Sequence, residues 1–165
     1  MIEAGRRQAI AMAPALQTCR FTVVLSSPMR RALETCELAG FASGATVCDD
    51  LCEWDYGEYE GLTTPQIRSQ VPGWYLWRDG CPGGEQPDQV GARADRVLAL
   101  VAAADGDALL FGHSHIMRVL SARALEQPVA FGARLALSAG SLCVLGFERG
   151  TRVIRRWNAV PDQLL

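Results

Sequence analysis

The chain has no lysine: all of its 16 basic side chains are arginine. A GC-rich coding sequence produces such a bias. Its chemical consequence is that the fixed positive charge sits on planar forks of donors, which suit carboxylate and phosphate clamps. Histidine is almost missing too. The only two, His113 and His115, stand together in FGHSHIMR (111–118), so chemistry that needs an imidazole is confined to one place. No stretch approaches the roughly 20 apolar residues of a membrane span. The N-terminus has no apolar segment followed by a cleavage site, so no secretory leader is expected. Among the 6 cysteines only Cys48 and Cys52 are close, and C-x3-C without a second pair or a nearby histidine is a poor zinc frame. Unpaired thiols in a reducing cytoplasm, with no metal and no cofactor, are the expectation. A net charge of −2 gives no reason to expect nucleic acid or an anionic membrane as partner.

What is present reads as one α/β domain over residues 1–165. Hydrophobic residues make up 49% of the chain, enough for a sizeable core. Residues 5–17 carry a helical pattern with Pro14 as a kink or late boundary. Residues 22–26 form a short β-branched run of the kind buried in parallel sheets. Ser27 and Pro28 suit the cap and first position of a helix running through Leu38 and closed by Gly40. Residues 45–49 read as a second strand. Residues 50–88 hold half of the aromatics, show little regular period, and form the kind of long irregular segment that usually serves function. A helix follows over 87–104, with Val90, Ala94, Val97, Leu98 and Val101 on one face. A strand over 107–112 and a helix over 116–125 come next. A hairpin over 141–158 turns at Arg149-Gly150. This order predicts a three-layer α/β/α sandwich with a mostly parallel mixed sheet and one antiparallel strand.

In such sheets ligands collect beyond the carboxyl ends of the strands, and three of these ends are polar. SSPMRRALET (26–35) places Arg31 in the first turn of a helix, whose N-terminus attracts anions. A capped helix with a surface arginine has the same sequence. GHSHIMRVL (112–120) follows an apolar strand, where His113 is either a ligand or a helix cap. LCEWDYGEYEG (51–61) has four carboxylates in eight residues among aromatics. It is either a solvated loop or a place where aromatic walls raise a carboxyl pKa for general-acid work.

Together, and in this order, the three segments resemble those of the histidine phosphatase, or phosphoglycerate-mutase-like, superfamily. WYLWRDGCPGGE (74–85) is similar to its sedoheptulose-bisphosphatase-like sugar-phosphatase branch. The resemblance implies that Arg31 binds phosphate, that Glu53 is the catalytic proton donor, and that His113 contacts the phosphoryl group. Ser27, Tyr56, Ser114 and His115 are the remaining candidates for holding substrate, with a helix-capping or pocket-rim role for His115 as the alternative. The implied substrate is a small phosphoester, a sugar phosphate or bisphosphate, hydrolysed without metal through a phosphohistidine. Imidazolium and guanidinium would supply the positive charge.

The family's Arg-His-Gly motif, whose histidine is the nucleophile, is not in this sequence. The start, MIEAGRRQA, resembles the helix that follows that motif's strand. The retained Arg31, Glu53 and His113 favour an N-terminally truncated phosphatase, without turnover as it stands, over a shortened non-catalytic phosphoester-binding relative. A phosphoglycerate mutase is the other alternative. The resemblance also implies a sheet whose missing first strand lies centrally, between the strand ending at Phe111 and the one starting near Ser141.

Overall fold

A computed structural model describes residues 1–160. Three parallel strands lie at its centre in the order β2-β1-β3: β1 Val23–Ser26, β2 Ala45–Val47 and β3 Ala108–Phe111. Both faces of β1 are buried, which explains why its sequence is apolar without alternation. Val23 and Leu25 face a core shared with helices α5 (Pro87–Ala102) and α6 (Ser114–Ala124). Val24, Leu109 and Phe111 face a second core with α1 (Glu3–Gln17) and α2 (Arg30–Leu38). Helices thus cover the sheet on both sides, as expected of an α/β sandwich.

The remaining strands, β4 (Leu142–Glu148) and β5 (Thr151–Ala159), pair only with each other, antiparallel. The single mixed sheet expected from the sequence comes in two pieces, divided between β3 and β4, where the sequence predicts an interruption. The hairpin turns at Arg149 and Gly150 with φ of 49° and 83°. Those two left-handed residues are what a two-residue connection between twisted strands requires.

Helix α1 runs to Gln17 as expected, with Pro14 inside it and not at its boundary. Two local expectations need correction. Helix α2 begins at Arg30 with Met29 as its cap, because Ser27, the expected cap, is engaged by His113. And the segment over 50–88 is not irregular throughout. It contains α3 (Thr64–Gln70), α4 (Leu76–Asp79) and short 3-10 turns at Asp49–Leu51 and Gly57–Tyr59. Helix α3 is opened by a capping box, Thr63 with Gln66. With seven residues and only Ile67 buried, it is too short to show a helical period. No helix among the described residues is long and apolar enough to cross a membrane.

Because β1, β2 and β3 are parallel, their carboxyl ends open on one edge of the sheet. Ser27 follows β1, the segment leading to Glu53 follows β2, and His113 follows β3. The fold gathers these distant positions before any side chain is considered.

Candidate active site

Two polar clusters meet at the N-terminus of α6. In the first, the Arg31 Nε–H donates to His113 Nδ1 at 2.9 Å. On the other side of the ring, His113 Nε2 lies 2.8 Å from Ser27 Oγ. Guanidinium has no acceptor, so Nδ1 must accept and the neutral ring carries its proton on Nε2. Ser27 Oγ therefore receives the His113 N–H together with the Met29 backbone N–H at 3.2 Å. The contact has the spacing of a serine–histidine dyad but the opposite wiring. A ring whose Nε2 already bears the proton cannot take one from Ser27.

His113 is buried, and burial together with the Arg31 charge lowers its pKa, with Glu53 opposing. The imidazolium expected from the sequence is a neutral imidazole in the ligand-free protein. The positive charge of this cluster sits on Arg31, which is exposed.

The second cluster centres on Glu53. Its Oε1 accepts the backbone N–H groups of His115 at 3.0 Å, Ile116 at 3.1 Å and Trp54 at 3.0 Å. His115 and Ile116 belong to the first turn of α6, where amides lack helical partners and the helix dipole favours an anion. His115 Nδ1 adds an approach of 3.5 Å to Oε2. Burial pushes the Glu53 carboxyl up, but the His115 side chain and the Trp54 and His115 amides outweigh it and hold the pKa down at about 2. The sequence led us to expect a raised value. The aromatic walls are there, yet the His115 side chain first, and then the Trp54 and His115 amides, reverse the sign.

His115 sits among aromatic rings, with ring centres 6.4 Å from Trp54, 5.8 Å from Tyr56 and 5.6 Å from Trp77. The Tyr56 hydroxyl is 3.4 Å from both ring nitrogens. Burial, then the Glu53 charge, raise the Tyr56 pKa, so its phenol stays protonated. Tyr56 and His115 form one wall of a cleft of about 500 Å³ that also involves Tyr59, Trp74, Tyr75 and Trp77.

Of the sequence candidates, Ser27, Arg31 and His113 come together directly, and Glu53, Tyr56 and His115 form the adjoining group. Ser114 joins neither through its hydroxyl, which donates to the Leu137 carbonyl at 3.5 Å. Arg118 and Arg93 were not anticipated. Arg118 stacks on the Trp77 ring at 4.6 Å and donates to the Gly132 carbonyl. Arg93 lies on the apolar stripe of α5 beside Val90, Ala94 and Val97. A charge in such a stripe is the signal that could have found it. Among the described residues no three His, Cys, Asp or Glu side chains gather closely enough to hold a metal ion.

The family profile of the histidine phosphatase superfamily (branch 1) matches residues 1–160. An acid phosphatase of Mycobacterium tuberculosis is 45% identical over 132 residues, which cover 79% of this chain and 64% of that protein. A sedoheptulose 1,7-bisphosphatase of Saccharomyces cerevisiae is 32% identical over 126 residues, covering 61% of this chain and 46% of that protein. The chain thus spans less than two thirds of the length of either relative. The solved structure of a Mycobacterium tuberculosis open reading frame superposes with a TM-score of 0.91 at 39% identity, covering 98% of this chain and 85% of that one.

Proposed function

The chain belongs to the histidine phosphatase superfamily, and from that premise we propose that it forms the substrate-holding body of a cytoplasmic phosphomonoesterase acting on sugar phosphates or bisphosphates. The observation that carries this reading is the Arg31–His113–Ser27 relay at the carboxyl edge of the sheet, next to an aromatic cleft wide enough for a sugar. Arg31 supplies the fixed charge for the phosphoryl oxygens. His113 presents its Nε2–H to one of them in place of Ser27. A phosphate dianion beside the ring favours its protonated form, so His113 gains charge as substrate arrives. The same dianion raises the proton affinity of Glu53, ionised in the empty site, and makes it the proton carrier for the leaving oxygen.

Hydrolysis needs a nucleophile in line with that oxygen. In the proposed two-step route a histidine outside this sequence, in the family's Arg-His-Gly motif, forms the P–N bond as the P–O bond to the alcohol breaks. The alkoxide takes the Glu53 proton, and water then cleaves the phosphohistidine. The exposed Tyr75 ring suits the C–H surface of a sugar, and the sedoheptulose bisphosphatase among the relatives supports that class.

The test measures inorganic phosphate released from a sugar bisphosphate, p-nitrophenyl phosphate and 3-phosphoglycerate, with EDTA present. It compares the 165-residue chain with the same chain preceded by a strand bearing Arg-His-Gly. The extended protein should release phosphate from the first two, and Arg31→Gln or His113→Asn should reduce that on the order of a hundredfold or more. Isomerisation of 3-phosphoglycerate without phosphate release would favour a mutase. Equal rates from both lengths of chain would remove the histidine-nucleophile route.

A further inference from the structure

Resting on the phosphatase reading, we propose that Arg93 and Glu85 form a positioning pair that fixes the backbone on both sides of Glu53 and so seats its carboxylate on the N-terminus of α6. The argument starts from the donor count. Guanidinium has five N–H groups in a rigid fork, and every nitrogen of Arg93 is committed. Nε and Nη2 grip Glu85 Oε1 and Oε2 in parallel, both at 2.7 Å. Nη1 donates to the carbonyls of Asp50 at 2.7 Å and Cys52 at 3.0 Å, and Nη2 approaches the Glu53 carbonyl at 3.5 Å. Glu85 completes the frame from the other side. Its Oε2 accepts the Asp55 N–H at 3.0 Å, its own N–H donates to the Asp55 carbonyl at 2.9 Å, and its carbonyl accepts the Trp54 indole N–H at 3.0 Å.

Residues 50, 52, 53, 54 and 55 are therefore all tied to this one pair, with Glu53 in the middle. Apart from accepting the Trp54 N–H, the Glu53 side chain has no part in the frame. It leaves it and ends on the amides of His115 and Ile116. An ion pair that only stabilised the fold would need no such convergence. The Arg123–Asp95 pair shows the contrast: it is also bidentate and joins α6 to α5, at 2.9 and 3.0 Å, but its carboxylate makes no contact with the Glu53 loop. The Arg93–Glu85 side chains are 13% and 19% exposed, against 36% and 48% for Arg123 and Asp95. Arg93 is thus shielded from the water that would otherwise satisfy it.

The experiment reads Glu53 through the amides it caps. Backbone 15N–1H shifts of His115 and Ile116 are followed from pH 7 downward in the 165-residue chain and in Arg93→Lys, Glu85→Gln and Arg123→Lys. Lysine keeps the charge at 93 but has no fork for five acceptors. Beyond any change common to all four proteins, which belongs to the neighbouring imidazoles, the two amides should stay flat to pH 4 in the unaltered chain and in Arg123→Lys, in keeping with a Glu53 pKa of about 2. In Arg93→Lys and Glu85→Gln they should titrate together at least one unit higher, a tenfold change in the protonation equilibrium. Should one variant at the pair fail to fold, the other decides. Flat amides in a folded variant at the pair, or an equal change in Arg123→Lys, would overturn the proposal. Adding inorganic phosphate to the unaltered chain tests the underlying reading separately. If the His113 ring resonances do not move, phosphate binding fails while the amide titration still decides the positioning pair.

Discussion

Glu53 shows how one residue can carry opposite expectations at two levels. A carboxyl among Trp54, Tyr56 and Trp77 reads as desolvated and raised, and burial does push it up. The His115 side chain wins first, and the backbone amides of Trp54 and His115 add to it. The consequence for stability has a definite sign. With a folded pKa of about 2 against an ordinary 4.5, Glu53 stabilises the fold fully above the unfolded value. That contribution is lost as pH falls from 4.5 toward 2. The margin is on the order of 3 kcal/mol. His113 acts earlier in the same direction. Its pKa is lowered from an ordinary 6.5, so an unfolded chain takes up a proton that the folded ring resists as pH drops below that value. Urea unfolding of Glu53→Gln should show its full deficit at pH 7 and converge on the unaltered chain toward pH 2. A deficit independent of pH would mean that the capping charge is not what Glu53 contributes.

At the scale of elements, the loop over 53–61 and the turn over 82–85 act as one piece. The Glu58 N–H donates to the Pro82 carbonyl at 2.9 Å, and Gly57 and Gly84 lie backbone against backbone. A Cβ on Gly57 would overlap Gly84 N and the Pro82 carbonyl, at a φ of +51° that disfavours a side chain in any case. Gly61 is the internal control, with a φ of +76° and open space around it. Gly57→Ala should cost roughly 2–4 kcal/mol, and Gly61→Ala only the backbone term of about 1–2 kcal/mol. Comparable urea midpoints for the two would refute the close approach. Much of this was legible in the sequence. The apolar runs marked β1 and β3, and polar residues at strand ends marked Ser27, Arg31 and His113. The capped α3 hid behind its length. Arg93 hid because a charge on an apolar stripe looks like noise until its five acceptors, from separate stretches of chain, are brought together.

At the scale of the whole molecule, the described residues form two sheets where the sequence predicts one, and the division has physical consequences. β3 pairs with β1 on one side, and β4 pairs with β5 on one side. The opposite edge of each strand presents a row of backbone donors and acceptors to no strand of the described residues. Such edges are costly when buried and adhesive when exposed. Leu109 and Phe111 are only 7% and 8% exposed, so this face of β3 is held in a core while its edge is left without a strand. A strand bearing Arg-His-Gly, placed between β3 and β4, would pair both rows and bring its histidine to the carboxyl edge occupied by His113 and Arg31. The expected outcome is measured by hydrogen exchange. In the 165-residue chain, alternate amides of β3 and β4, those directed to the open edges, should exchange much faster than amides of the β1–β3 ladder. In the extended protein they should slow together with the ladder, the midpoint of thermal unfolding should rise, and phosphate release should appear in the same preparation. Protection gained without turnover would separate the architectural role of that strand from its chemical one. Open-edge amides that exchange as slowly in the short chain as in the extended one would show that the division is closed by other contacts and is not the place for a strand.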